Sequence, residues 1–127
     1  MLKKQTLLVS IFYTLALLVF SLISIDLGGI ETFTPSNGDK IFHFCAYALL
    51  VWTWFLTLKN RFNIPVYKAI IIVTVCAMLF GIIIEILQKV LTYTRFFDID
   101  DIIANMLGSL LTAIILLFNT KRDVKKY

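Results

Sequence analysis

Four long apolar runs alternate with short polar stretches along the 127 residues, and the polar positions beside those runs are not scattered. The runs predict helices over about 7–25, 41–58, 65–88 and 102–118. Each is near the roughly 20 residues that a bilayer's hydrocarbon core requires, with tilt absorbing the differences. Asp39, Lys40, His43 and Tyr47 open the second run, Gly81, Glu85 and Gln88 close the third, and Arg95, Asp98, Asp101 and Asn105 lead into the fourth. In a chain that crosses four times, those three stretches meet at one membrane depth.

Helical spacing allows these groups to face one another. Asp39, His43 and Tyr47 step by four, and Asp98, Asp101, Asn105 and Gly108 step by three, four and three, so each set forms one stripe. Glu85 and Gln88 share a face with Gly81. At a rise of about 1.5 Å per residue, His43, Glu85 and Asn105 come within roughly 10 Å of the membrane boundary. The expected site is a shallow pocket open at that end.

Composition fixes the class. Hydrophobic residues make up 60% of the chain and charged residues 16%, with a mean hydropathy of +0.91, against about 45–50% and about 25% in soluble domains. The expected fold is therefore all-α: a polytopic membrane protein with four transmembrane helices in one bundle, residues 1–127 forming a single transmembrane domain. Cys45 and Cys76 fall inside apolar runs, where thiols are expected as buried packing residues at depths too different for a disulfide. The first run follows Lys3 and Lys4 like a signal peptide, but it is long and ends Ser-Ile-Asp-Leu, so it reads as a retained helix.

Charge supplies orientation. Lys3, Lys4, Lys59, Arg61, Lys68, Lys121, Arg122, Lys125 and Lys126 fall on one side and Lys40, Lys89 and Arg95 on the other, accounting for all 12 basic residues. That asymmetry predicts cytoplasmic termini and an outward-facing polar cluster. The basic tail then reads as a topology signal and a contact for membrane lipids, and nucleic acid is not an expected partner. The expected location is the bacterial cytoplasmic membrane.

Each polar residue also has a structural reading. Ser36-x-x-Asp39 and Asp98-x-x-Asp101 look like helix-starting capping boxes. Asp100 is expected to face solvent, and Gly81 and Gly108 to allow close helix packing. Glu85 is harder to dismiss, because an ionisable group in hydrocarbon must pair, protonate or work, and Lys40 or Arg95 are its nearest candidate cations. Paired histidines and cysteine clusters of the zinc kind are absent, so neither a metal nor another cofactor is expected. A transporter is disfavoured, since its ligands usually sit near the midplane.

In this order the residues resemble the VanZ-like membrane protein family: Asp-Lys-x-x-His with a following Tyr (Asp39, Lys40, His43, Tyr47), Glu-x-x-Gln (Glu85, Gln88), Arg-x-x-Asp-x-x-Asp (Arg95, Asp98, Asp101) and Asn-x-x-Gly (Asn105, Gly108). The resemblance covers residues 39–108. It implies a role at the bacterial cell envelope, because the founding member is associated with resistance to the glycopeptide teicoplanin. The resulting expectation is a protein that handles or modifies an envelope component, with a lipid-linked precursor or the glycopeptide itself as partner. In a catalytic version Glu85 or His43 serves as general base, Lys40 and Arg95 hold an anionic headgroup, and Asp39, Tyr47, Gln88, Asp98, Asp101 and Asn105 bind or orient. In the alternative the same network is non-catalytic and shapes a binding or partner surface.

Overall fold

The computed structural model describes residues 2–23, 36–91 and 99–125, with side chains described for 4–22, 40–90 and 99–122. Those residues form four helices, α1 (Leu2–Ile23), α2 (Ser36–Asn60), α3 (Val66–Leu91) and α4 (Ile99–Lys125), and no strand occurs among them. Each contains a stretch long and apolar enough to cross a membrane, of 19, 21, 25 and 24 residues in chain order. The helices outrun the apolar runs because backbone hydrogen bonding continues past the hydrocarbon boundary. The extra turns of α2 carry Asp39 and Lys40, and those of α4 carry Asp100 and Asp101.

The turn from α2 to α3 shows how short connections keep the helices antiparallel. Asn63 takes a left-handed φ of 56°, a conformation asparagine tolerates better than most residues. The Ile64 N–H then reaches back to the Leu58 carbonyl at 3.0 Å, satisfying an acceptor left over at the helix end. Pro65 needs no donor here, and its carbonyl accepts the first bond of α3 from the Ala69 N–H at 2.8 Å.

Helix α2 is central, touching α1, α3 and α4, whereas α1 and α4 do not touch among the described residues. The most extensive contact is between α2 and α4. These two run parallel, since Lys40 meets Asp100 and, farther along, Ala48 meets Thr112. Their closeness has a simple cause: a Cβ added at Gly108 would run into the Phe44 carbonyl oxygen and lie 3.0 Å from its carbon. Lipid tails are as apolar as leucine, so membrane helices associate through such small-residue packing and through interhelical hydrogen bonds.

Hydroxyl groups hold α1. Ser10 Oγ and Thr57 Oγ1 lie 2.7 Å apart, Thr57 donates to the Thr6 carbonyl at 2.9 Å, Tyr13 Oη donates to the Ala46 carbonyl at 2.6 Å, and Trp54 Nε1 donates to Thr14 Oγ1 at 2.8 Å. The apolar core, including Leu17, Leu50, Val51, Phe55, Ile70, Val73 and Leu116, packs around α2. Residues such as Phe12, Ile71, Leu79 and Ile114 point outward, as lipid-facing positions should. Cys45 and Cys76 are also free and exposed. This corrects the expectation of buried thiols: both are accessible, Cys76 in the wall of an open cleft, where apolarity reflects lipid and not protein packing.

Alternation of the helices gives the bundle two ends. Lys4, Lys59, Arg61, Lys68, Lys121 and Arg122 gather at one, hereafter the basic end. The start of α2, the end of α3 and the start of α4 form the other, the polar end.

Candidate functional site

At the polar end three helices converge on a buried seam. Helix α2 contributes His43 and Tyr47, at 3% and 1% relative exposure; α3 contributes Glu85 and Gln88, at 2% and 1%; α4 contributes Asp101 and Asn105, at 5% and 1%. So many buried polar groups in one place is unusual, because ionisable side chains in hydrocarbon cost about 2.5–3.5 kcal/mol each on insertion scales.

Glycine brings the helices close enough for these groups to meet. A Cβ at Gly81 would lie 3.0 Å from Asn105 Nδ2 and 3.2 Å from Tyr47 Cε1, so α3, α4 and α2 touch at that point. Glu85 is one turn further along the same face of α3, buried like Tyr47. Gln88 Nε2 donates to the Ser21 carbonyl at 2.7 Å, tying the end of α3 to the end of α1. Beneath the seam, Tyr47 and Phe80 lie with ring centroids 6.2 Å apart.

His43 Nε2 lies 3.6 Å from Asp101 Oδ2. That is ion-pair range and longer than a hydrogen bond. The carboxylate is placed to orient the imidazole. Tyr47 Oη and Asn105 Oδ1 have no hydrogen-bond partner among the described residues although both are buried, a condition that costs roughly 1–3 kcal/mol per group. The seam therefore offers a phenol and a carboxamide oxygen able to bond something further, beside a carboxylate-backed imidazole. Among the described residues no three His, Cys, Asp or Glu side chains gather as metal ligands.

Several expected positions fall elsewhere. Lys40, nominated as a partner for Glu85, pairs with Asp100 at 3.5 Å on the partly exposed rim. It does so because both side chains project outward from the first turns of parallel helices. Asp100 is exposed as expected, but it is paired. Asp39 belongs to the first turns of α2, with its side chain outside the described set; Arg95 and Asp98 lie outside the described residues altogether. The expectation of a shallow open pocket meets, among the described residues, a closely packed seam. Sequence reasoning missed Ser21 and the hydroxyl face of α1. Ser10, Thr14, Leu17 and Ser21 step by four, three and four along that helix, a regularity visible in the sequence.

The sequence model of the VanZ/LLP1 family matches residues 2–120. The chain belongs to the VanZ/LLP1 family. Within a set of curated proteins it is similar to the uncharacterized protein C11E3.10 of Schizosaccharomyces pombe, with 32% identity over 111 residues. That alignment covers 86% of this chain, and the chain spans 65% of the length of the relative. No solved structure matches the chain. As a VanZ/LLP1 protein with four helices suited to span a membrane, it is a multi-pass membrane protein.

Proposed function

We propose that this VanZ/LLP1 protein acts at the bacterial cell envelope, its polar seam receiving the polar group of a membrane-embedded envelope component, such as a lipid-linked precursor. Teicoplanin tolerance is the phenotype that follows. One observation carries the reading: Tyr47 and Asn105 hold buried polar atoms without partners, next to the His43–Asp101 pair. A network meant only to join helices gains nothing from leaving such atoms open, whereas a binding site needs them.

In the catalytic form of this reading, His43 exchanges a proton with the bound group, Asp101 holds the imidazole in orientation, and Glu85 supplies a second acid–base group. Tyr47 and Asn105 bind. The ligand reaches the seam from the polar end, on this reading the outer one, which the distribution of basic residues supports.

A second reading has its own support. Gln88 bonds to α1 and Gly81 closes α3 on α2 and α4, so the seam also joins helices, and a non-catalytic accessory protein would use it to shape a surface for a partner.

Glu85→Gln separates the two. It keeps size and hydrogen bonding while removing a buried carboxylate. Expected is a folded protein with unchanged or higher thermal midpoint in detergent and loss of teicoplanin tolerance in a strain that depends on it. A folded variant with full tolerance contradicts the role given to Glu85.

A further inference from the structure

A cleft of about 360 Å³ lies between α1 and α3, with α2 as its floor. It exists because α1 packs chiefly on α2 and touches α3 much less, the Gln88–Ser21 bond lying at the polar end. Thr14, Trp54, Leu58, Ile72, Cys76 and Phe80 are among its walls. The polar atoms of two of them are already spent on each other, because Trp54 Nε1 donates to Thr14 Oγ1 at 2.8 Å. What remains for an occupant is hydrocarbon.

Depth identifies the occupant. The spans of α2 and α3 run over Lys40–Asn60 and Val66–Val90, so the cleft, bounded by Leu50 and Leu58 on one and by Phe80 and Ile72 on the other, occupies the half nearer the basic end. From Phe80 to Ile72 it is roughly 12 Å long at about 1.5 Å per residue, close to the roughly 15 Å of one leaflet's hydrocarbon. Its lower mouth is cationic. Lys68 lies one turn below Ile72 on the same face of α3, and Arg61 follows Leu58 by three residues. Both are exposed. Neither enters an ion pair among the described residues.

We infer that this cleft is a binding site for an anionic phospholipid of the leaflet at the basic end, one acyl chain lying along α2 between α1 and α3 and the phosphate held by Lys68 and Arg61. The charge matches an anionic headgroup, and the length matches a single chain. The site is distinct from the polar seam, the two adjoining where Tyr47 of the seam meets Phe80 of the cleft wall, and it does not depend on what the seam binds.

Trp54 reports directly on occupancy. Of the two tryptophans, Trp52 is on the outer surface, so Trp52→Phe leaves Trp54 as the sole indole. In phosphatidylcholine vesicles doped with lipid carrying brominated chains, phosphatidylglycerol should quench Trp54 at a mole fraction roughly 25-fold below that needed for phosphatidylcholine, since each of the two basic side chains near anionic lipid contributes about fivefold. Lys68→Gln with Arg61→Gln should abolish the preference, and Cys76→Phe, which fills the cleft, should reduce quenching by both lipids. Helical content and monodisperse elution identify the folded variants, and the glutamine pair, both exposed, suffices if the filled variant misfolds. Equal quenching by the two lipids overturns the inference. So does a Trp54 that neither lipid reaches, the result expected if a second copy of the chain covers the cleft.

Discussion

At Gly108 the missing side chain is what lets α4 lie against the backbone of α2. The obstacle to any larger residue is a carbonyl of Phe44, which cannot swing aside as a side chain can. Gly108→Ala is expected to cost about 1–3 kcal/mol through overpacking, seen as a lower thermal midpoint. Gly81→Ala is expected to cost less, because its nearest neighbour is the Asn105 side chain at 3.0 Å, but it pushes that side chain and should impair function more than stability. A Gly108→Ala protein as stable as the parent would contradict the close approach. The His43–Asp101 pair is tested by a double-mutant cycle with His43→Gln and Asp101→Asn. Because the two side chains are buried and 3.6 Å apart, a coupling of roughly 0.5–3 kcal/mol is expected, as for residues in direct contact. Additive effects would show that they act independently. The rim pair of Lys40 and Asp100 is expected to matter little to stability, in line with the roughly 0–1 kcal/mol of exposed ion pairs.

Helix α1 shows what periodicity of apolar residues conceals. Its run is uniformly apolar in character, and a hydropathy reading sees only a span; the contacts that seat it are made by Ser10, Tyr13 and Thr14 against α2. Hydroxyl groups are mild enough to sit in a transmembrane run without interrupting it, so they leave almost no mark on the hydropathy profile. Thr57→Val keeps shape and deletes the hydroxyl that bridges Ser10, Thr6 and Thr53. Intramembrane hydrogen bonds average about 0.6 kcal/mol, so a loss of roughly 1 kcal/mol is expected, with Ser10→Ala adding less than its own single effect. Full additivity would mean that the two hydroxyls do not share a bond. The four helices themselves were legible because each span demands a long apolar run. The start of α2 at Ser36 was legible from its capping box, whereas the far end of α4 was not, since that helix continues to Lys125, where helix persists outside hydrocarbon.

For the molecule as a whole, the convergence of polar groups at one end was legible in the sequence, because alternating spans leave no other arrangement. Which partners pair was not. Lys40 could reach Glu85 or Asp100 by sequence position, and only the side-chain direction set by the packing of α2 on α4 chooses Asp100. The same holds for the cleft beside Trp54, which depends on how far α1 and α3 separate. Orientation in the membrane is open to direct test. With Cys45→Ala and Cys76→Ala, a cysteine at Asn37 is expected to react with an impermeant thiol reagent outside intact cells and one at Asn60 is not, following the distribution of basic residues. The reverse pattern would put the polar seam on the cytoplasmic side.

The hydroxyl of Tyr47 offers the most direct test of whether the seam exists to bind. It is buried and lacks a partner among the described residues, so Tyr47→Phe removes an unsatisfied polar atom and nothing else. If the seam only joins helices, the variant should be as stable as the parent or more so, with teicoplanin tolerance intact. If the seam binds an envelope component, stability should likewise be equal or higher while tolerance is lost, the exchange expected when a functional group is held at a structural cost. The measurement is therefore thermal midpoint in detergent and teicoplanin susceptibility, taken together on this one variant. Retained stability with lost tolerance is the predicted result; retained stability with full tolerance would contradict it.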